Sequence, residues 1–242
     1  MATTRKTVIV TGASQGIGAA AASLFLERGY NVVANSRQIS KKNELERSDH
    51  LALVDGDIGL PATADKLIET ARKRFGSLDA LVNNAGIFIS KPFIDYTPED
   101  FRALSATNLE GFLYITQRAI RQMLAQKSPG SIVSITASIA EHPLVALPAS
   151  VAMITKGGIN AISRSLALEY ARHGIRVNAV APGVVNTPLL TGIPSDFLRS
   201  LSPLGQVATS RDIADAVLYL TEASQVTGEV LRVNGGSHTG KW

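Results

Sequence analysis

Short apolar runs alternate with amphipathic stretches along the whole 242-residue chain. The runs at Thr7–Val10, Asn31–Ala34, Leu51–Val54, Ala80–Asn83, Ser131–Ile135, Arg176–Val180 and Val230–Val233 predict seven strands. Several are unbroken runs of Val, Ile and Leu, the pattern of strands buried on both faces of a parallel sheet. Between the third and fourth, Pro61 opens a predicted helix whose Ala64, Leu67, Ile68, Ala71 and Phe75 share one face, and Gly76 closes it. Strand-helix alternation of this kind predicts a doubly wound α/β fold, a parallel seven-stranded sheet flanked by helices. No repeat, low-complexity tract or linker interrupts the pattern, so residues 1–242 are expected to form a single domain.

Composition narrows the function classes. A hydrophobic content of 45% supports one sizeable core. The 24 Lys and Arg against 20 Asp and Glu give a net charge of +4, but these charges are dispersed. The densest cluster, Arg37, Lys41, Lys42 and Arg47, is interleaved with Glu44 and Glu46 and reads as a solvated loop and helix start. Neither an aromatic-basic stripe nor a recognition-helix motif accompanies it, so no nucleic-acid partner is expected. The absence of cysteine excludes disulfides, thiolate chemistry and cysteine-based metal sites. The start, Met-Ala-Thr-Thr-Arg-Lys, leads directly into a strand, and no later apolar run approaches the length of a bilayer span. A cytoplasmic protein without a membrane partner is expected.

The first β-α unit carries the clearest chemistry. Val8-Ile9-Val10-Thr11 is followed by Gly12-Ala13-Ser14-Gln15-Gly16-Ile17-Gly18 and then by four alanines. Glycines allow a sharp turn and close approach to a pyrophosphate, while a helix N-terminus offers free N–H groups and partial positive charge. The strand before and the helix after are the context that the Rossmann-like dinucleotide fingerprint requires. At the end of strand two, where a carboxylate would accept from a ribose 2′-hydroxyl, the chain reads Asn35-Ser36-Arg37. An arginine there suits a 2′-phosphate, so NADP(H) is preferred, with NAD(H) as the alternative.

The spacing Thr-Gly-x-x-x-Gly-x-Gly resembles the short-chain dehydrogenase/reductase family. Further matches follow in that family's order: Asp57-Ile58, Asn83-Asn84-Ala85-Gly86, Asn108, Lys156-Gly157-Gly158, Arg176-Val177-Asn178, Pro182-Gly183-Val184-Val185-Asn186-Thr187 and Asn234-Gly235-Gly236. The resemblance implies that Asp57 and Ile58 hold the adenine and that Asn84, Ala85 and Gly86 pack near the ribose. Pro182, Gly183, Val185 and Thr187 would hold the nicotinamide end, and Lys156 would bond the nicotinamide ribose. It further implies that Asn108 bends its helix and binds a water beside Lys156. A homotetramer or homodimer would assemble through the helices around residues 108–126 and 151–173.

One departure stands out. The family carries a tyrosine four residues before the lysine, on the same helix face, and this tyrosine exchanges a proton with the substrate oxygen. Here that position is Ala152, and Tyr30, Tyr96, Tyr114, Tyr170 and Tyr219 lie elsewhere in the pattern. The family's serine has two candidate phases. Counting forward from strand five reaches Ala137, and counting back from Lys156 reaches Ile139; a one-residue bulge would bring Ser138 to the place, with Thr136 the next choice. A water held by Ser138 and Lys156, or His142, is the candidate replacement proton donor. Two readings follow. One is an NADP(H)-dependent oxidoreductase of the carbonyl reductase or alcohol dehydrogenase type, acting on a small carbonyl or alcohol. The other is a catalytically weak or inactive NADP(H)-binding sensor or subunit.

Overall fold

The computed structural model describes residues 5–240. All seven apolar runs form strands: β1 (Thr7–Thr11), β2 (Asn31–Ser36), β3 (Leu51–Asp55), β4 (Ala80–Asn83), β5 (Gly130–Ile135), β6 (Ile175–Pro182) and β7 (Val230–Val233). They pair in parallel in the order β3-β2-β1-β4-β5-β6-β7. Each is a run of residues because each is covered twice. On one face Val8, Val10, Val32, Val82, Val133 and Val180 meet Leu24 and Phe25 of α1 (Gly16–Glu27) and Ile213 and Val217 of α7 (Ser210–Glu222). On the other, Ile9, Val33, Leu81, Ile132 and Val177 meet Leu67 of α2 (Pro61–Thr70) and Ile115 and Met123 of α4 (Gly111–Ala125). Alternate residues of one strand thus enter two different cores.

The remaining helices are α3 (Pro98–Leu104), α5 (Ser150–Tyr170) and α6 (Ser195–Ser200). Thr97 caps α3 with a capping box through Asp100, and Thr209 caps α7 in the same way through Asp212. The helix from Pro61 reaches Phe75 as expected, but its last turn, Ala71–Phe75, is π-helical, and Gly76 ends it at a φ of 84°. Among the described residues no helix is long and apolar enough to cross a membrane.

Two expectations need correction. No helix starts in the basic cluster after β2, where residues 37–50 run as turns and bends. Side chains capture the backbone there: Asn43 Nδ2 donates to Ile39 O at 2.7 Å, and the Ser48 hydroxyl accepts from His50 N at 3.1 Å. Nor is there a bulge in β5, since its register with β6 runs unbroken from Gly130 opposite Ile175 to Ile135 opposite Val180. The additional residues therefore lie beyond the end of the strand at Ile135.

The strand order reverses at β1, whose neighbours are β2 on one side and β4 on the other. The loops leaving β1 and β4 therefore open a crevice at the C-terminal edge of the sheet. Gly18 fits α1 beneath that crevice, because a Cβ there would stand 2.3 Å from Gly12 O and 2.4 Å from Asn84 Nδ2. Gly18→Ala is expected to lower stability by about 1–3 kcal/mol. Urea unfolding measures this, and an unchanged midpoint would contradict the packing described.

Candidate functional site

A reciprocal set of hydrogen bonds fixes the crevice. The Thr11 hydroxyl accepts from Asn84 N at 3.1 Å and Ala85 N at 3.0 Å, and donates to Val82 O at 3.3 Å. Asn84 Nδ2 donates back to Thr11 O and Gly12 O, each at 3.0 Å. The turn is thereby held open beneath α1, whose N-cap residue Gln15 makes no side-chain cap bond and whose first turn carries no acidic residue. Its uncapped N–H groups and the positive end of the helix dipole form an anion cradle. The segment after β6 closes over the same turn: Thr187 Cγ2 lies 3.4 Å from where a Cβ of Gly16 would stand. Pro182 belongs to the end of β6, opposite Val233, and Gly183 N donates to Val233 O at 2.9 Å. Val185 is buried and bridges to Ala208.

At the other end of the crevice, Asn35 is consumed structurally, with Nδ2 donating to Val54 O at 2.9 Å and Gly56 O at 3.1 Å. Ser36 is half-buried and Arg37 exposed. Ser36 stands opposite Asp55, whose carboxylate accepts from the Ser40 hydroxyl and from Ser40 N at 2.9 Å. The Ser40 hydrogen bonds hold Asp55 below its ordinary carboxyl range. Ser14 O accepts from Glu44 N at 3.1 Å, tying the basic loop to the glycine turn. Asp57 Oδ1 closes its own turn on Gly59 N at 2.9 Å, and Ile58 is buried against Gly111.

The reacting end is built around Asn108 and Lys156. Asn108, 2% exposed, sits in a π-helical stretch, Ser105–Glu110, between α3 and α4. Its Oδ1 accepts from Ile87 N at 2.9 Å, and its Nδ2 donates to Ile87 O and to Thr155 Oγ1, both at 3.0 Å. One side chain thus clamps the loop after β4 to α5. Lys156 is half-buried as a residue, yet its Nζ is enclosed and donates to Ile135 O at 2.8 Å. Burial pushes its ammonium down to about 8. A Cβ on Gly86 would stand 3.2 Å from both Asn108 Oδ1 and Lys156 Nζ, a tight contact that these side chains would have to yield to. A water-sized cavity lined by Thr11, Asn83, Asn108, Ile135 and Lys156 adjoins them, and Asn83 Oδ1 is buried without a partner among the described residues.

Ser138 is buried at the start of a 3₁₀ turn, Ser138–Ala140, directly beyond β5. The Thr136 hydroxyl instead caps the strand end, donating to Val180 O at 3.2 Å. Ala152, 1% exposed, lies one turn before Lys156, and its carbonyl accepts from the Thr155 hydroxyl at 2.7 Å. It packs with Leu104, Ala149 and Val151, against which Ile87, Phe88, Ile89, Tyr96, Ile139 and Met153 rest. Tyr96 reaches this cluster through no spacing visible in the sequence, and its hydroxyl donates to Ile89 O at 2.6 Å. The Tyr30 phenol is pushed up to about 12 by burial and by Glu222, to which it donates at 3.2 Å. Tyr114 donates to Glu110, Tyr219 is exposed on α7, and Tyr170 ends α5. The His142 ring stands 5.7 Å from that of His238, which bonds Asn234 Oδ1 through Nδ1 at 2.9 Å. Thr155 is a support that lies outside the motifs, whereas Thr11 opens the glycine motif without its bonding role being legible there. Among the described residues no group of His, Asp and Glu could hold a metal ion.

The family model described as enoyl-(acyl carrier protein) reductase matches residues 12–238. The chain is 37% identical to 3beta-hydroxysteroid dehydrogenase 1 of Eggerthella lenta, covering 96% of this chain and 93% of that protein. It is 34% identical to carbonyl reductase family member 4 of Xenopus tropicalis, over 96% of this chain and 97% of the relative. Of solved structures, 3-ketoacyl-(acyl-carrier-protein) reductase from Brucella melitensis complexed with NADH superposes with a TM-score of 0.89 at 31% identity, covering 96% and 98% of the two chains. ElxO with NADP bound superposes at 0.88 with 28% identity, covering 98% and 100%.

The depressed Lys156 value has a direct readout. The folded protein releases this proton before the unfolded chain does, so burial of the ammonium weakens the fold below pH 8. That penalty is relieved as pH rises from 8 towards the ordinary lysine value of about 10.4. In lysine-labelled protein, one ¹³Cε resonance, absent from Lys156→Arg, should titrate near pH 8. A Lys156 midpoint above 10 would contradict the enclosed position.

Proposed function

The chain belongs to the short-chain dehydrogenase/reductase family, and from that premise we propose that it is an NADP(H)-dependent oxidoreductase of carbonyl or alcohol groups with an atypical proton donor, Ala152 standing in the place of the family's tyrosine. The observation that carries this reading is the uncapped α1 N-terminus, locked to the loop after β4 and facing the same crevice as Lys156. The residues fit a dinucleotide. Gly12, Ser14, Gln15, Gly16, Ile17 and Gly18 would cradle its diphosphate, and Asn84, Ala85 and Gly86 would line the ribose. Asp57 and Ile58 would hold the adenine; Pro182, Gly183, Val185 and Thr187 would hold the nicotinamide. Ser36 and Arg37 favour a 2′-phosphate, because no carboxylate ends β2 and neighbouring Asp55 is occupied by Ser40.

When bound, the nicotinamide supplies the two-electron chemistry. The chain's own residues supply the rest. Lys156 Nζ orients the ribose hydroxyls and, with an ammonium close to 8, holds a proton that it can release near neutral pH, directly or through a water shared with Ser138. The Ser138 hydroxyl orients the substrate oxygen. Asn108 keeps the two walls of the site in register through Ile87 and Thr155. Loss of the phenol is expected to lower the rate by about 10²–10⁴ without preventing cofactor binding. The second reading, an NADP(H)-binding sensor or subunit, is favoured by the burial of Ala152 among apolar side chains. Assembly as a homodimer or homotetramer through α4 and α5 accompanies either, with Leu113, Ile154 and Leu168 exposed on those helices.

Titration of NADPH fluorescence, followed by its oxidation with a panel of carbonyl compounds, tests the proposal. The wild type should bind NADPH more tightly than NADH and turn over slowly. Lys156→Ala should abolish turnover, and Ala152→Tyr should raise it about 10²-fold or more. Binding without turnover would favour the sensor reading, whereas failure to bind either cofactor would contradict both.

A further inference from the structure

The walls around Lys156 are almost free of charge. Residues 86–90 after β4, 135–140 at the end of β5, 143–155 leading into α5, and 183–195 after β6 contain no Asp, Glu, Lys or Arg. Strands β4, β5 and β6 are neighbours, so these segments leave the same edge of the sheet side by side. The Ser90 hydroxyl, donating to Pro148 O at 2.8 Å, joins two of them directly. The charges that border them are paired. Glu141 is held by Arg232 at 2.5 Å and Arg164 at 3.2 Å, Lys91 by Asp100 at 2.6 Å, and Arg199 stands 3.8 Å from Asp196.

What these segments offer instead is uncharged, hydroxyls beside partly buried apolar side chains. Ile87, Phe88, Ile89, Ile139 and Met153 pack around Ala152 while each keeps some exposed surface. A carboxylate or phosphate settling against these segments would give up its hydration without a cationic side chain of theirs to replace it. An acyl carrier or other strongly anionic partner would find no unpaired cation on these segments.

Resting on the oxidoreductase reading above, we propose that the site takes an uncharged, apolar ketone or secondary alcohol and discriminates against carboxylated and phosphorylated ones. The reaction balances as ketone plus NADPH plus one proton giving secondary alcohol plus NADP⁺: the carbon gains hydrogen with its electron pair from NADPH, and the oxygen gains the proton.

A matched pair of ketones tests this on the wild-type protein saturated with NADPH. Calorimetry should show 4-tert-butylcyclohexanone binding about 30-fold or more tightly than 4-oxocyclohexanecarboxylate, which has a similar shape and a charge. Equal affinity, preference for the carboxylate, or binding of neither would overturn the proposal. NADPH titration alone, run first, separates the two levels. If NADPH fails to bind, the cofactor reading falls and this proposal with it; if NADPH binds and the ketone preference is absent, only the substrate class is wrong.

Discussion

The site depends on one hydrogen-bonded lock between Thr11 and Asn84. It ties the loop after β1 to the loop after β4 at the point where the strand order reverses, with the Thr11 hydroxyl taking two backbone N–H groups and Asn84 Nδ2 taking two backbone carbonyls. A turn rich in glycine would otherwise sample many conformations, at a considerable entropic cost to any ligand that must order it. Here the ordering is built into the fold, so the first turn of α1 presents its N–H groups already aligned. Close packing reinforces the lock, because Gly18 leaves no room between α1 and Gly12 O for even one additional carbon.

A second clamp, Asn108, extends the same frame to the reacting end. By bonding both backbone groups of Ile87 and the Thr155 hydroxyl, it fixes the loop after β4 against α5, and α5 carries Lys156 one residue further on. The lysine pays for this position in desolvation, which lowers its pKa to about 8. The enclosed ammonium donates to Ile135 O at 2.8 Å, which anchors the α5 side of the crevice to the end of β5. One turn before Lys156, Ala152 is buried among Leu104, Ala149 and Val151.

The strands and the glycine turn after β1 were legible because they depend on local pattern. Unbroken Val and Ile runs reported burial on two faces, and Gly12, Gly16 and Gly18 reported a backbone requirement that few other residues meet. Features set by tertiary partners were less legible. The basic run after β2 suggested a helix, but Asn43, Ser48 and Asp55 capture its backbone in turns, and Asp55 comes from the next strand. The phase beyond β5 suggested a bulge, whereas the register with β6 shows that the extra residues lie outside the strand. Thr136 and Ser138 are two residues apart and chemically alike in sequence; only the strand-end bond to Val180 distinguishes Thr136. Tyr96 joined the Ala152 cluster through the fold of the loop after β4, which no helical or strand period encodes.

The most direct test of the central claim, a preformed cradle whose lock and clamp are intact, is an amide NMR titration of ¹⁵N-labelled protein with NADPH. Large, saturable shifts are expected for Gly16, Ile17 and Gly18, accompanied by a shift of the Lys156 side chain, with the Asn84 Nδ2 resonances already in their hydrogen-bonded positions before NADPH is added. Shifts confined to other regions, or Asn84 resonances that become ordered only on binding, would contradict it.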